Sequence, residues 1–335
     1  MDRYPTRSAD RDVWIVSRRG ARRALDPRRP YAVITEPERT LHGPIAAVTT
    51  IFLTNRECPW KCVFCDLWKN TLETNQPPGA IPEQIDRALE ESSAAHQYES
   101  PFDASAPRHL KLYNSGSFFD PRAIPPEDHV TIARRARRFE RVIVECHPSL
   151  VDERVVRFRD LLRKEGSIDL EVAMGLETAH PAVLEKLNKR MTLELFKSAA
   201  DLLDREGIDL RAFVLVQPPF MPPAESVRWA RRSIDFAFDE GAEVVSLIPT
   251  RPGNGAIDAL AEQGLYAKPT LDMLESAAVF GVRSGQGRVF ADLWDLETFA
   301  ECRECFPART ERLRRMNLTQ KLGGPVACPA CGYHG

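Results

Sequence analysis

From Ala46 onward, short apolar runs alternate with longer amphipathic stretches. The runs at 48–53, 110–113, 142–145, 170–174, 210–216 and 244–248 are short and rich in Val, Ile and Leu, which predicts buried strands. The stretches at 82–93, 126–138, 152–165, 181–187, 193–206 and 223–240 predict helices. Repeated strand–helix units imply parallel strands with helices outside them, an α/β fold. Six units are too few for a closed eight-fold barrel. They predict an open (β/α)6 partial TIM barrel over residues 44–275. Residues 1–43 are polar, rich in Arg and Pro, with a weak apolar segment at 13–16, and read as an N-terminal extension partly packed on the core. Residues 276–335 read as a separate C-terminal region.

In barrels of this kind, functional groups gather on the loops after the C-terminal ends of the strands. The first predicted strand leads into Cys58, Cys62 and Cys65, a CxxxCxxC loop with Phe64 before its third cysteine. Three thiolates this close can hold three irons of a [4Fe–4S] cluster and leave the fourth iron open to a small molecule. A structural zinc ion would need a fourth ligand from elsewhere, and a disulfide would leave one cysteine over and require an oxidising compartment. The next strands end in Asn114-Ser115-Gly116-Ser117, Glu145-Cys146-His147-Pro148, Gly175-Leu176-Glu177-Thr178 and Gln217-Pro218-Pro219-Phe220, and the sixth run is followed by Arg251, Gly253 and Gly255. Each motif therefore sits where a barrel places its chemistry. Cys146 and His147 read as a buried thiol and a structural histidine.

The cysteine loop resembles that of the radical S-adenosylmethionine superfamily. The later motifs, in that order, resemble the branch of the archaeosine-forming enzymes of archaeal tRNA modification, itself related to the elongator-type radical enzymes. The resemblance covers roughly residues 40–275. It implies a [4Fe–4S] cluster on Cys58, Cys62 and Cys65, with S-adenosylmethionine bound at the open iron through its amino and carboxylate groups. Reductive cleavage of that cofactor yields a 5′-deoxyadenosyl radical that abstracts hydrogen from a substrate at the barrel mouth. Phe64, Asn114, Ser115, Gly116, Ser117 and Gln217 are the expected cofactor contacts. Glu145 and Glu177 are the expected acidic groups that meet cofactor or substrate, and the expected catalytic residues. The Ser-Gly-Ser segment departs from the Gly-Gly-Glu type common in the superfamily and matches the archaeosine branch.

Cys302, Cys305, Cys328 and Cys331 form a CxxC…CxxC pair near the C-terminus. Four thiolates close a tetrahedral site, so a structural Zn2+ is the simplest occupant, with a second iron–sulfur cluster as its rival. The metal would organise a tail with too few apolar residues for a core of its own.

Composition narrows the function further. The chain has 335 residues, is 43% hydrophobic and 28% charged, and carries a net charge of −2, so it lacks a global basic field for nucleic acid. Arginine-rich patches lie at Arg18, Arg19, Arg22, Arg23, Arg28 and Arg29, at Arg134, Arg135, Arg137, Arg138 and Arg141, and at Arg303, Arg309, Arg312, Arg314 and Arg315. No apolar run approaches the ~20 residues that span a bilayer, and the N-terminus lacks a signal peptide's apolar segment. The expected location is the cytoplasm, and a membrane partner is not expected. The expected substrate is a small molecule, with a tRNA nucleoside as the alternative and a non-enzymatic iron–sulfur electron-transfer protein as a third reading. The expected electron donor is a flavodoxin or ferredoxin.

Overall fold

A computed structural model of the chain describes residues 3–40, 45–95 and 108–335, the side chains of 92–95 excepted. Eight strands form one sheet in sequence order: β1 Ala32–Arg39, β2 Ile45–Phe52, β3 His109–Tyr113, β4 Arg141–Glu145, β5 Asp169–Glu177, β6 Asp209–Val216, β7 Val244–Pro249 and β8 Arg288–Ala291. Strands β2 to β8 are parallel, and β1 pairs antiparallel with β2. The helices are α1 Ser8–Val16, α2 Ala80–Ala95, α3 His129–Arg135, α4 Glu153–Gly166, α5 Pro181–Lys186, α6 Leu193–Arg205, α7 Pro223–Asp239, α8 Ala256–Glu262, α9 Leu271–Ser284 and α10 Phe306–Thr319.

All six predicted strands are present, and the partial barrel is borne out with one more strand on each edge. Strand β1 comes from the N-terminal segment and β8 from the C-terminal one, so the sheet runs past both boundaries drawn from the sequence. The boundary at 43–44 itself lies outside the described residues. Neither strand reads as one in the sequence: β1 carries Pro37 and three charges, and β8 has four residues and opens on Arg288. Both compositions suit edge strands.

Side chains alternate across the sheet. Ile51, Leu112, Val144, Val172, Val214 and Leu247 face outward, fully buried in one core with residues such as Ile85, Ile132, Phe158, Phe196 and Ile234 of the covering helices. The inward positions differ. Toward the lower end of the sheet they carry charge: Lys111, Glu171 and Arg211 on parallel strands and Glu38 near the end of antiparallel β1. Arg211 donates from Nε to Glu171 Oε1 at 2.6 Å and from Nη2 to Glu38 Oε1 at 2.7 Å. Lys111 pairs with Glu38, and Arg141 pairs with Asp209 and, at 3.4 Å, with Glu171. Burial alone would raise the Glu38 pKa, but Arg211 and Lys111 hold it well below the carboxylate range. One level higher, the inward residues are Phe52, Tyr113, Phe213 and Ile248, each partly exposed while its outward neighbours are buried. The lumen is thus open to water above an ionic floor, unlike the packed interior of a closed barrel.

Helix α10 deals with the free edge of β8. Asn317 accepts from the Ala291 N–H at 2.9 Å and donates to its carbonyl at 2.8 Å, and Gln320 bonds the N–H and carbonyl of Val289 in the same way. Two carboxamides therefore stand in for a ninth strand. Arg288 Nη1 also donates to the Arg39 carbonyl at 3.0 Å, a direct link between the two edge strands.

Arg211→Met leaves Glu38 and Glu171 in the lumen without their shared counter-ion. Breaking one side of a buried pair costs about 3–5 kcal/mol, so the urea midpoint should fall steeply. An unchanged midpoint would show that the floor network does not hold the curl of the sheet.

Candidate active site

The cysteine loop leaves β2 through buried Leu53, Thr54 and Asn55. It is closed at its base by a short parallel bridge between Arg56 and Leu72, with Glu57 N–H donating to the Leu72 carbonyl at 2.9 Å and Leu72 N–H to the Asn55 carbonyl at 2.8 Å. Val63, fully buried, anchors its middle in a second apolar cluster with Trp14 and Ile15 of α1, Val183 and Leu187. The backbone between the cysteines is held by others. Val63 N–H donates to Leu187 O at 3.0 Å, Asn188 Nδ2 to Lys61 O at 2.8 Å, and Asn254 Nδ2 to Val63 O at 2.8 Å and Cys65 O at 3.3 Å. Trp60 stacks on His147 with ring centroids 3.8 Å apart, and that histidine stays neutral because burial drives its pKa down to about 3. Carbonyls inside a cysteine loop are left without partners by any regular element, and here two asparagine side chains supply the donors.

Cys58, Cys62 and Cys65 are free thiols, each partly exposed. Burial pushes Cys58 up to about 12, Cys65 up to about 11 and Cys62 well above the ordinary thiol range. As thiols they are inert, and a bound cation is what converts such groups to thiolate ligands. Among the described residues, the tail cysteines alone bring three or more ligand atoms of this kind within single-ion distance, so the loop triad is not arranged around one ion. A multi-iron cluster, with one iron for each thiolate, fits the donor set better than zinc.

The strand ends bring most of the expected residues to this mouth. Gly116 lies against the loop: a Cβ there would sit 3.2 Å from the Cys58 Cβ, tighter than ordinary contact. Both polar atoms of the fully buried Asn114 side chain lack a protein partner, as does Gln217 Oε1. Gln217 Nε2 is spent on the Met221 carbonyl at 2.7 Å. Ser115, Glu177 and Gln217 have φ of 53°, 65° and 57°, in the left-handed region that glycine favours. Backbone strain of this kind costs about 1–3 kcal/mol per residue and gathers at ligand sites.

Two carboxylates face this region. Glu145 Oε2 accepts from Asn114 N–H at 2.8 Å; burial pushes its pKa up to about 7 against the opposing effect of the Asn114 and Ser115 N–H groups. Glu177 pairs with Lys189 at 2.5 Å, and Lys189 also donates to the Gly175 carbonyl at 2.7 Å. A Cβ on Gly175 would collide with this pair, so the glycine makes room for it. Burial opposes the charge of Lys189, but Glu177 offsets it and its pKa rises. Lys189 is the functional group that the sequence reading missed. Its signal was weak, one lysine among several past the fourth motif, although it sits twelve residues after Glu177.

Other expected residues bond or pack within the protein. Ser117 Oγ accepts from His147 N–H at 2.6 Å, Phe64 packs against the second apolar cluster, and buried Cys146 donates to the His147 carbonyl. Arg251, which follows the sixth strand, is paired with Asp292 at 2.9 Å. Below the mouth, Tyr31, Phe52, Tyr113 and Phe213 form a chain of ring contacts or near-contacts along the lumen wall, with Trp294 beside Phe52 at 5.9 Å and half exposed. Tyr31 also reaches Ser115, with its hydroxyl 3.2 Å from Oγ.

At the C-terminus, Cys302 and Cys305 lie just before and at the start of α10, and Cys328 and Cys331 lie on the hairpin of β9 Ala327–Cys328 and β10 Tyr333–His334. Their four sulfurs converge within 4.8 Å of one another, so the four-cysteine module is present as a metal-binding geometry. Arg309 stacks 3.8 Å from the Tyr333 ring and donates to Glu275 of α9 at 2.6 Å, where the Tyr333 hydroxyl also donates. The knuckle is thereby tied to the barrel. No helix among the described residues is long and apolar enough to cross a membrane.

No protein-family model matches the chain. It is 23% identical over 317 residues to an uncharacterized protein of Methanocaldococcus jannaschii, covering 90% of this chain and 84% of that one. It is 24% identical over 241 residues to archaeosine synthase subunit beta of Methanosarcina acetivorans, covering 69% of this chain and 66% of the relative. The branch resemblance is borne out by this relative. Among solved structures, a radical S-adenosylmethionine methyltransferase from Kitasatospora setae with cobalamin and a [4Fe–4S] cluster bound aligns over 63% of this chain and 39% of its own, at 21% identity and a TM-score of 0.43. The chain therefore spans about two thirds of the archaeosine synthase relative and well under half of the methyltransferase.

Glu145 supplies a pH test of the mouth. Its folded pKa, about 7, lies above the ordinary value of 4.5. The folded state favours the protonated acid, so this contribution to stability is complete below pH ~4 and is lost as pH rises through ~7. Without cofactor, wild type should lose stability relative to Glu145→Gln over that interval in thermal melts. Parallel curves would show that the carboxyl is not held in this environment.

Proposed function

We propose that this chain is a cytoplasmic enzyme that holds a [4Fe–4S] cluster on Cys58, Cys62 and Cys65, binds S-adenosylmethionine beside it, and acts on a small molecule in the lumen. The observation that carries the reading is the meeting of three free thiols, the unpartnered side-chain atoms of Asn114 and Gln217, and the strained Ser115, Glu177 and Gln217 at one end of an open barrel. Together the two cofactors supply radical hydrogen abstraction when bound. The protein's part is binding and orientation. Asn114 and Gln217 offer buried polar atoms that a ligand would satisfy. Lys189 presents a cation for a carboxylate, and Glu177 an acid for an ammonium or sulfonium. Glu145, close to half protonated near neutrality, can accept from or donate to a hydroxyl. The aromatic wall of Phe52, Tyr113 and Phe213 offers the substrate apolar surface below them.

The test is anaerobic reconstitution followed by dithionite and S-adenosylmethionine. The expected outcome is about four irons on the loop triad, an S = 1/2 signal on reduction, and slow release of 5′-deoxyadenosine. Replacing Cys58, Cys62 and Cys65 by Ala should abolish all three. A signal responsive to S-adenosylmethionine that survives in the triple variant would refute the assignment.

The likeness to archaeosine synthase subunit beta favours a second reading, modification of a tRNA nucleoside. The arginines of the tail give it little support. Arg309 is buried and paired with Glu275, Arg312 lies 3.5 Å from the same carboxylate, and Arg303, Arg314 and Arg315 are exposed.

For the tail we propose Zn2+, since four cysteines leave no open position and the Cys302–Cys328 and Cys305–Cys331 sulfurs lie 3.9 Å apart. Elemental analysis of the variant lacking the loop triad should find about one zinc per chain. About four irons and no zinc would assign an auxiliary cluster instead.

A further inference from the structure

A depression of about 260 Å3 opens on the outer side of the cysteine loop. Four cations line it, Arg22, Arg56, Lys61 and Arg122, against two acids, Glu57 and Glu73. Cys58 borders the same space, whereas the lumen residues Phe52, Tyr113 and Phe213 do not. Glu57 is already committed: it takes hydrogen bonds from Arg19, Arg22 and Lys61. Arg56 bonds the neutral Asn75 side chain and has no carboxylate partner among the described residues. Arg122 reaches Asp120 at 2.9 Å but leaves nearly half of its side chain in solvent. Arg22 also lies 3.5 Å from Glu73. The four lining cations therefore outnumber their carboxylate partners Glu57, Glu73 and Asp120 by one, beside one triad thiol on a chain whose net charge is −2.

We propose that this depression is the docking face for an acidic one-electron carrier of the flavodoxin type, an inference that rests on the cluster reading of the triad. A cluster that works through one-electron steps needs an outside reductant, and electron transfer falls off steeply with distance. The entry point must therefore lie near a cluster ligand and away from the lumen, which substrate occupies. Cys58 meets both conditions. The step balances as one electron. The flavin hydroquinone anion becomes the neutral semiquinone, and the cluster charge falls from 2+ to 1+. Redox encounters use small interfaces and are steered by complementary charge rather than by large apolar contact. An RNA backbone fits less well, because Glu57 and Glu73 are interleaved with the cations and a continuous phosphate track would meet them.

The test uses the reconstituted full chain and the double variant Arg56→Glu/Arg122→Glu. Calorimetric titration with oxidised flavodoxin should show binding that weakens with salt and falls about tenfold or more in the variant. Cluster reduction by flavodoxin hydroquinone should slow in proportion. Dithionite, which needs no docking face, should reduce both proteins at the same rate. Wild type that does not bind flavodoxin, or a variant that binds and is reduced by it equally well, overturns the proposal while leaving the cluster reading intact. Loss of tRNA retention on filters with flavodoxin binding unchanged would reassign the face to RNA. A protein that takes up no cluster overturns the parent reading and this one with it.

Discussion

Arg211 reaches two carboxylates from strands far apart in the sheet, Glu38 on β1 and Glu171 on β5, and the rest of the architecture depends on that span. A parallel sheet of seven strands with one antiparallel edge has no backbone ladder closing it to set its curvature, only the side-chain link from Arg288 to the Arg39 carbonyl. Apolar packing against the outer helices fixes one face, but that packing alone does not fix how far the two edges bend toward each other. The pair with Glu38 is made across the lumen and is short when the sheet is curled. Its energetic value over an apolar filling is small, because desolvating charge offsets much of the Coulomb gain. What it contributes is geometry: a guanidinium fork accepts few arrangements of two carboxylates. Lys111, Arg141 and Asp209 balance the remaining charge, so the floor carries little net field up to the mouth.

That floor is what lets the upper lumen stay empty. In a closed barrel, inward side chains fill the interior and stabilise it by contact. Here Phe52, Tyr113 and Phe213 keep water-exposed faces, and stability comes from the outer core and the ionic floor. The mouth can then hold features that cost energy. Three non-glycine residues in left-handed backbone and three unpartnered buried polar atoms, two on Asn114 and one on Gln217, together cost several kcal/mol by the usual magnitudes. They persist because the second apolar cluster, built on α1, Val63 and the α5 turn, locks the loop and the strand ends in place from above. The N-terminal helix is therefore part of the site's support rather than an appendage.

The sequence made the six central strands legible because each is a short, mostly apolar run buried on its helix side, and it made both cysteine sets legible because ligand spacing is a local property. The edge strands escaped notice. Pro37 and the glutamates of β1 look like loop until Glu38 is seen to face a buried arginine across the barrel. Helix α10 was equally hidden, since its role rests on Asn317 and Gln320 meeting the backbone of β8, a match that periodicity does not encode. At the site, residues directly after strands were found, and those that act from a neighbouring loop were not. Asn188 and Lys189 reach the mouth only after α5 has turned the chain back, and Asn254 comes from the loop between β7 and α8. Ser117 and Arg251, both beside a motif, bond His147 and Asp292 in the structure, contacts that sequence position does not encode.

The same distinction governs how charge should be read in this protein. Three arginine-rich segments look alike in the sequence, yet their partners separate them. In the tail, Arg309 and Arg312 are turned inward onto Glu275 and Arg309 stacks on Tyr333, so the segment braces the metal knuckle against α9. In the middle segment, Arg135 pairs with Asp86 and Arg141 completes the lumen floor, leaving Arg134, Arg137 and Arg138 as a solvated face. Near the N-terminus, Arg19 and Arg22 converge with Lys61 on a single carboxylate, Glu57, one residue before the first loop cysteine. Arg22 also lies 3.5 Å from Glu73, so two acids meet three bases, and one positive charge is left beside the cysteine loop. A net charge of −2 hides this asymmetry because acids elsewhere on the surface cancel it in the sum without screening it in space. At physiological ionic strength the field of an exposed cation decays over about 8 Å, so distant acids do not reach the loop. What a partner meets there is set by those few local residues and not by the composition of the chain.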